Sequence, residues 1–388
     1  MSGSQTPPGA SAELLASIAA LAGEADRTGR VPEASLRAAQ IEGLPGLTVP
    51  RRLGGQEAGL RTAAQVARAI GRSCASTGLI LAMQFLHQAA IARSARWPEQ
   101  LAERVGRDAV ERGALINTLR VEPALGTPAR GGLPATVARR TPDGWRLDGH
   151  KIYATGMPAL SWLLVWARTG HPSAPDVGYF LVPAGADGVR LVETWDHLGL
   201  RASGSHDVIF ADVAIPAQHA VDLRPPTSWG ARDAAEAAWN VALIGAVYTG
   251  VAEAARDWLR NFLLTRTPSN LGAPLATLPR MQEALGRIEA LLVGNRRLLS
   301  GLAEDVDAGR ELVTSDVNLL KVVLAENAVS AVQQAVELSG NHGLSRQNPL
   351  ERHLRDVLCV RVHTPQADSA FLEAGKAALK PISGPIPG

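Results

Sequence analysis

The chain has 388 residues, which is long enough for more than one hydrophobic core, and its formal net charge is only +2. No run of Lys and Arg exceeds two residues, so no nucleic-acid partner is expected. The two cysteines, Cys74 and Cys359, lie far apart, which excludes a CxxC metal site and fits a reducing cytoplasm. No stretch approaches the roughly 18 uninterrupted apolar residues of a membrane span. We therefore expect a cytoplasmic protein that binds no metal and no membrane.

The N-terminal part is predicted to be a tail followed by a helical domain. Residues 1–12 are small and polar, lack the pattern of a signal peptide, and are predicted to be disordered. Residues 13–112 are predicted to form an α-helical domain, because Leu14 and Ile18 recur at helical spacing and a second helical run extends from Gly59 to Ala95.

Between residues 113 and 225 the period changes to that of strands. Apolar and polar residues alternate, and turn residues such as Pro142-Asp143-Gly144 separate the runs. The predicted strands are Ala135–Arg140, Trp145–Tyr153, Leu163–Arg168, Tyr179–Pro183 and Asp207–Ile215. This pattern indicates a compact β domain of five or more strands.

The helical period returns over residues 226–388. The predicted helices are Asp233–Thr265, Leu278–Asp307, Ser315–Ser339 and Gln366–Ala378. Four successive helices indicate an antiparallel four-helix bundle, and the apolar run Trp239–Val251 predicts a buried core helix. The fold class is therefore α+β with several domains, in the uncommon order helical, β, helical.

Two segments of the β domain carry residue types suited to a planar cofactor. In Val121–Thr127, Pro and Gly favour a turn, and Thr127 offers a hydroxyl to a phosphate or ring atom. In Gly149–Gly156, the aromatic Tyr153 precedes the small polar Thr155, which suits close approach of a flat ring. The structural alternatives are a plain hairpin turn and a core aromatic residue.

Further motifs follow in a fixed order. They are the Gly-x-Arg-x-Ser-x-Ser pattern within Trp195–Asp207, the separated Arg266 and Gln282, the turn Gly340–Gly343, and Arg355-Asp356. In this order the chain resembles the acyl-CoA dehydrogenase family from about residue 12 to 380. The resemblance implies an N-terminal helical domain, a central antiparallel β-barrel and a C-terminal four-helix bundle. It also implies a homotetramer and an FAD between the β domain and the bundles, completed by partner subunits.

The resemblance also implies which residues contact the flavin. Tyr153 would flank the isoalloxazine and Thr155 would lie near its N5 edge. Arg266 and Gln282 would reach the FAD pyrophosphate and adenosine across a subunit interface. The loop after Arg266 is longer than the family's, which leaves FMN as the alternative. The cofactor-binding residues are predicted to be Thr118, Val121, Thr127, Tyr153, Thr155, Arg266, Gln282, Gly340, Asn341, Gly343, Gln366 and Asp368.

The chain departs from the family where a dehydrogenase needs its base. Such an enzyme uses a carboxylate to remove the substrate α proton. In most members the Glu lies shortly after the Arg-Asp pair, where this chain has Thr364. In a second subgroup it lies on the first bundle helix, where this chain has Asn240, with Glu236 one turn away as the alternative.

A monooxygenase branch of the same fold uses reduced flavin and O2 on small molecules, and the chain resembles it more closely. His363-Thr364 is similar to the His-Thr segment of that branch, and His87 matches a position where it often has a histidine. We therefore predict His363, His87, Asn117 and Thr364 as catalytic residues, with a separate flavin reductase as partner.

Other interpretations stay open. A lone histidine on an apolar helix, such as His87, is more often a core residue, and Gly340 can simply end a helix. The reaction can instead be that of an acyl-CoA or acyl-carrier-protein dehydrogenase with a displaced base. The chain can also be a flavin-free protein that kept the fold.

Overall fold

The computed structural model describes residues 9–125, 132–171, 173–229 and 233–380. The chain divides into two units, Met1–Ala231 and Arg232–Gly388. The first unit contains the predicted N-terminal helices and the β domain, and the second contains the C-terminal helices.

The first unit begins with five α-helices. They are α1 (Ala12–Thr28), α2 (Glu33–Ile41), α3 (Leu60–Ser73), α4 (Ala75–Arg93) and α5 (Glu99–Arg112). The Ser11 side chain accepts a hydrogen bond from Leu14 N and caps α1, which ends at Gly29 in the left-handed conformation. The predicted continuous run Gly59–Ala95 is two helices, because Cys74 adopts an extended conformation between them.

One helix of the described residues, α4, is long and apolar enough to cross a membrane by length and composition. Its side chains are buried around the whole circumference, and 78% of its most apolar window lies inside the protein. Such burial is typical of the core helix of a globular unit.

Eight strands form one sheet in the β domain. They are β1 (Leu115–Leu119), β2 (Val137–Thr141), β3 (Gly144–Ala154), β4 (Leu160–His171), β5 (Ala174–Pro183), β6 (Val189–Val192), β7 (His206–Pro216) and β8 (Ala220–Arg224). Five of them overlap the predicted strands. The other three are short, and β1 is buried on both faces, so it shows no alternation.

The sheet follows the order β6-β7-β3-β2-β4-β5-β8, and β1 also pairs with β4. Most pairs are antiparallel, as predicted, but β1 and β2 run parallel to β4. The β3–β7 register shifts between Lys151 and Ala154, and Tyr153 lies in this irregularity with a left-handed φ of 60°. The end of β3 is therefore bent away from regular strand geometry.

A buried ion pair joins three segments of the β domain. Lys151 Nζ on β3 lies 2.6 Å from Glu122 Oε1, and the two side chains are 0% and 2% exposed. Glu122 also accepts hydrogen bonds from Ala135 N, Thr136 N and Thr136 Oγ1. These donors and the Lys151 charge lower the pKa of Glu122 despite its burial, whereas burial lowers the pKa of Lys151 to about 8.

The second unit is helical. Its α-helices are α6 (Ala234–Thr265), α7 (Pro279–Asp307), α8 (Thr314–Ser339), α9 (Asn341–Leu344), α10 (Leu350–Leu358) and α11 (Ala367–Ala378). The four long predicted helices correspond to α6, α7, α8 and α11, and the run Trp239–Val251 is buried as predicted. Helix α8 packs against α6, α7, α10 and α11.

We predict that Lys151→Met lowers the free energy of unfolding by about 3–5 kcal/mol, because it leaves the Glu122 carboxylate buried without its cation. Arg287→Met is the matched control, since the Arg287–Glu283 pair is mostly exposed and should contribute less than about 1 kcal/mol. Urea unfolding of both variants measures the difference. Equal losses would contradict the importance of the buried pair.

Candidate functional site

A polar cluster in the first unit brings together four predicted site residues. His87 on α4 lies 2.9 Å from Asn117 Oδ1 on β1, measured from its Nε2 atom. Asn117 Nδ2 donates to Thr155 O at 2.9 Å. Thr118 N donates to Asn117 Oδ1 at 2.8 Å, and Thr118 Oγ1 lies 3.3 Å from His87 Nδ1. The Asn117 carboxamide therefore connects α4 with the ends of β1 and β3.

These contacts favour one tautomer of the His87 ring. The Asn117 amide nitrogen donates to Thr155 O, so Oδ1 faces His87 as an acceptor and favours a proton on Nε2. Thr118 N, which donates to Asn117 Oδ1, also lies 3.3 Å from Nε2. Nδ1 can then accept from the Thr118 hydroxyl. Hydroxyl contacts continue the cluster from Thr155 Oγ1 to Ser205 Oγ at 2.9 Å.

Tyr153 presents an aromatic ring at the irregular end of β3. Its side chain is 54% exposed, although Tyr is a residue that usually buries its ring. The ring lies edge-on to Trp195 at 6.2 Å and 6.1 Å from His197, between ring centroids. The positive φ of Tyr153 is a strained conformation for a residue with a bulky side chain. This part of the unit offers an open aromatic surface to a planar molecule.

In the second unit, the two positions at which the family places its base lie next to each other. Asn240 on α6 is buried, and its Nδ2 donates to Thr364 O at 3.1 Å. The two residues are 124 positions apart in the sequence. Glu236, the alternative base, is exposed one turn earlier on α6. Neither an amide nor a hydroxyl is a general base at neutral pH.

His363 lies beside these residues and contacts a buried tyrosine. Its Nε2 atom lies 2.7 Å from Tyr248 Oη on α6. Burial and the nearby Lys321 lower the pKa of His363 to about 4. Burial raises the pKa of Tyr248, and burial lowers the pKa of Lys321 to about 8. At neutral pH the pair is therefore a neutral imidazole and a protonated phenol.

The residues predicted to hold the flavin phosphates and adenosine make local contacts within their own units. Arg266 is exposed just after α6, and the Gln282 amide on α7 donates to Ala276 O of its own unit at 2.9 Å. Val121 O accepts from Ile152 N at 3.0 Å, which joins the loop to β3. Thr127 lies outside the described residues.

The predicted turn after α8 has clear structural roles. Gly340 ends the helix with φ 57°, which favours glycine. A Cβ on the buried Gly343 would come within 2.4 Å of Ser339 Oγ, so this glycine permits close packing. Asn341 is exposed on α9. Gln366 precedes α11, and Asp368 accepts from Ser369 N in its first turn.

Sequence reasoning missed three polar residues of these clusters. Ser205 belongs to the Gly-x-Arg-x-Ser-x-Ser pattern, and Tyr248 belongs to the predicted core helix. Lys321 on α8 is only 3% exposed and was not singled out. The sequence signal for Tyr248 and Lys321 was the presence of a polar group on an otherwise apolar helix face.

Three family models match the chain. They describe the N-terminal, middle and C-terminal domains of acyl-CoA dehydrogenase, over residues 11–97, 120–213 and 242–366. The Bacillus subtilis (strain 168) protein named "Putative acyl-CoA dehydrogenase YdbM" is 31% identical over 353 residues, covering 90% of each chain. The chain therefore belongs to the acyl-CoA dehydrogenase family, a family of flavin-dependent oxidoreductases.

Two further similar proteins have names that mention different ligands. The bovine mitochondrial short-chain specific acyl-CoA dehydrogenase is 28% identical over 371 residues, covering 93% of this chain and 86% of the relative. The structure of KijD3 in complex with FMN and a dTDP-3-amino sugar is 28% identical, with a TM-score of 0.76 and coverage of 96% and 93%. The predicted fold is confirmed.

The described residues fit the family's flavin. The exposed Tyr153 ring offers a flat apolar contact, and the neighbouring Thr155 hydroxyl can exchange hydrogen bonds with polar ring atoms. A flavin held there would supply the redox chemistry of the family.

We predict that acid destabilises the protein partly through His363. Its pKa is about 4 in the folded protein and about 6.5 in an unfolded chain, so the unfolded state binds more protons between these values. Lowering the pH from 6.5 to 4 should cost on the order of 2 kcal/mol through this group. Urea unfolding of His363→Gln should show a smaller acid loss, and the exposed control His171→Gln should match the wild type. An unchanged acid loss in His363→Gln would contradict the assignment.

Proposed function

We propose that the protein is a flavin-dependent monooxygenase that uses reduced flavin and O2 on a small molecule. It works in the cytoplasm as a homo-oligomer, with the tetramer as the expected state, and receives reduced flavin from a separate reductase. The observation that carries the proposal is the Asn240–Thr364 contact, which has no carboxylate at either family position for the base.

This contact supports the placing of Asn240 and Thr364 at the family's two base positions. The two positions belong to different motifs, and they are 124 residues apart. If either residue were misplaced, a direct hydrogen bond between them would be unexpected. The family's two alternative bases would serve one substrate atom, so their positions should meet in the fold. Their contact favours the absence of the base over a slip of register.

The protonation of His363 also favours oxygen chemistry over proton abstraction. With a pKa of about 4 the imidazole is a weak base at pH 7, and its conjugate acid is scarcely populated. A neutral imidazole that carries an N–H can instead donate a hydrogen bond to an oxygen atom. His87 in the first unit likewise contacts the uncharged side chains of Asn117 and Thr118.

A dehydrogenase is the second candidate, because the bovine relative is a short-chain specific acyl-CoA dehydrogenase. Such an enzyme would need a displaced base. Glu236 is the carboxylate one helical turn from Asn240, but it is exposed, whereas the Asn240 side chain is buried. This difference favours the monooxygenase.

In the proposed reaction, reduced flavin and O2 convert the substrate to its oxygenated product, and oxidised flavin and water are the other products.

We predict that the wild type, supplied with a flavin reductase and NADH, couples O2 uptake to oxygenation within a panel of amines, thioethers and phenols. His363→Asn should lower product per O2 at least about tenfold, because one positioned donor is lost, and should release more hydrogen peroxide.

The exposed histidine variant His171→Asn is the matched control and should keep the wild-type coupling. Quantitative peroxide release from the wild type, with no oxygenated product from any substrate, would refute the monooxygenase. Anaerobic bleaching of the bound oxidised flavin by an acyl thioester would identify a dehydrogenase. Purified protein that binds neither FAD nor FMN would identify a flavin-free member of the fold.

We propose FAD as the flavin, with FMN as the alternative raised by the long loop after Arg266. Tyr153→Leu should weaken flavin binding about tenfold, because it removes the aromatic contact, and Tyr153→Phe should keep the wild-type affinity. Fluorescence titration with FAD and with FMN measures both the effect and the preference. An affinity unchanged in Tyr153→Leu would remove Tyr153 from the flavin site.

A further inference from the structure

The hydrogen bond between Tyr248 and His363 has a direction that the surroundings determine. Tyr248 is fully buried on α6, and its Oη atom lies 2.7 Å from His363 Nε2. Within the described residues, the Tyr248 hydroxyl forms its hydrogen bond with His363. The phenol proton therefore has one acceptor available, the Nε2 lone pair.

The opposite arrangement leaves a buried group unsatisfied. If Nε2 carried the imidazole proton, it would donate to the Tyr248 oxygen, and the phenol proton would face no acceptor in the described part of the unit. An unsatisfied buried hydroxyl of this kind disfavours that tautomer about tenfold or more. The neutral imidazole then carries its proton on Nδ1.

The charged surroundings keep both groups in the required protonation states. Lys321 on α8 faces His363 and opposes a second positive charge there. Asp356 and Cys359 act on Tyr248 from the end of α10 and oppose a phenolate. Lys321 is buried without an ion pair in the described residues. Glu326, a carboxylate whose charge acts on Lys321, accepts two hydrogen bonds from Arg361.

We propose that Tyr248 is a positioning residue that fixes His363 in the Nδ1–H tautomer, so that this N–H is the donor offered to the reacting molecules. This inference rests on the proposed function for the catalytic use of His363, but the tautomer itself does not. Nδ1 makes no hydrogen bond within the described residues, and the His363 side chain is half-buried, so its N–H remains available to a ligand. The recipient would be an electron-rich oxygen of the flavin–O2 system or of the substrate.

The tautomer can be tested by 15N NMR of protein labelled in its histidine rings, with His363→Gln to assign the signals. The wild type should show a protonated Nδ1 and a bare Nε2 at His363 at pH 7. Tyr248→Phe should shift the population toward the Nε2–H form. A wild-type Nε2–H signal, or a Tyr248→Phe spectrum identical to the wild type, would overturn the proposal.

Two other variants separate tautomer control from general damage. Thr249→Val removes the neighbouring buried hydroxyl of α6, which accepts from Asn295 and does not contact His363, so the tautomer should stay unchanged. Lys321→Met should raise the midpoint of the His363 titration and leave the tautomer unchanged, while Lys321→Arg should preserve the wild-type midpoint. A tautomer shift in Thr249→Val would assign the effect to core packing instead.

The catalytic consequence needs a separate readout. In the coupled O2 assay, Tyr248→Phe should lower kcat about tenfold with little change in KM, because substrate binding does not involve the phenol. An Nδ1–H signal in a wild type that forms no oxygenated product would leave the tautomer assignment standing and refute the monooxygenase. Full kcat in Tyr248→Phe, together with the NMR shift, would refute the catalytic use of the tautomer.

Discussion

The candidate site in the first unit depends on the buried ion pair between Glu122 and Lys151. Glu122 holds the segment before β2 through Ala135 and Thr136, and Lys151 holds β3. The strained Tyr153 follows two residues after this anchor. Both charges are desolvated, so each is stabilised mainly by the other. Separating the segments that carry them would therefore cost several kcal/mol. The pair therefore holds the part of β3 that leads to the Tyr153 ring and to Thr155 of the polar cluster.

The two clusters share an electrostatic character. In each, an imidazole contacts uncharged partners: Asn117 and Thr118 contact His87, and Tyr248 contacts His363. A dehydrogenase needs a carboxylate with a pKa suited to proton abstraction. A group that donates a hydrogen bond to an oxygen atom needs no such carboxylate. Members of one fold family can differ in reaction through such a small set of side chains. Family membership therefore defines the scaffold and the flavin chemistry, and the proposed monooxygenase reaction rests on these residues.

Sequence periodicity predicted the long elements well because their burial is one-sided or complete over many residues. The run Trp239–Val251 is buried as expected, and the five predicted strands lie within the sheet. Periodicity failed to predict the structure where local backbone geometry interrupts the hydrophobic pattern. Cys74 breaks a helix without a Pro or Gly signal, and β1 is too short and too evenly buried to show alternation.

The sequence by itself determined the order of the helical and β segments and the family motifs, and it predicted Asn240 and Thr364 at the family's base positions. Those are properties of residue types and spacing along one chain. Only the tertiary structure brought Asn240 to Thr364, and Tyr248 to His363, which are 124 and 115 residues apart. Contacts at such separation depend on how helices pack, and burial then determines the protonation of His363. The local sequence around a side chain determines neither its tertiary hydrogen-bond partner nor its burial.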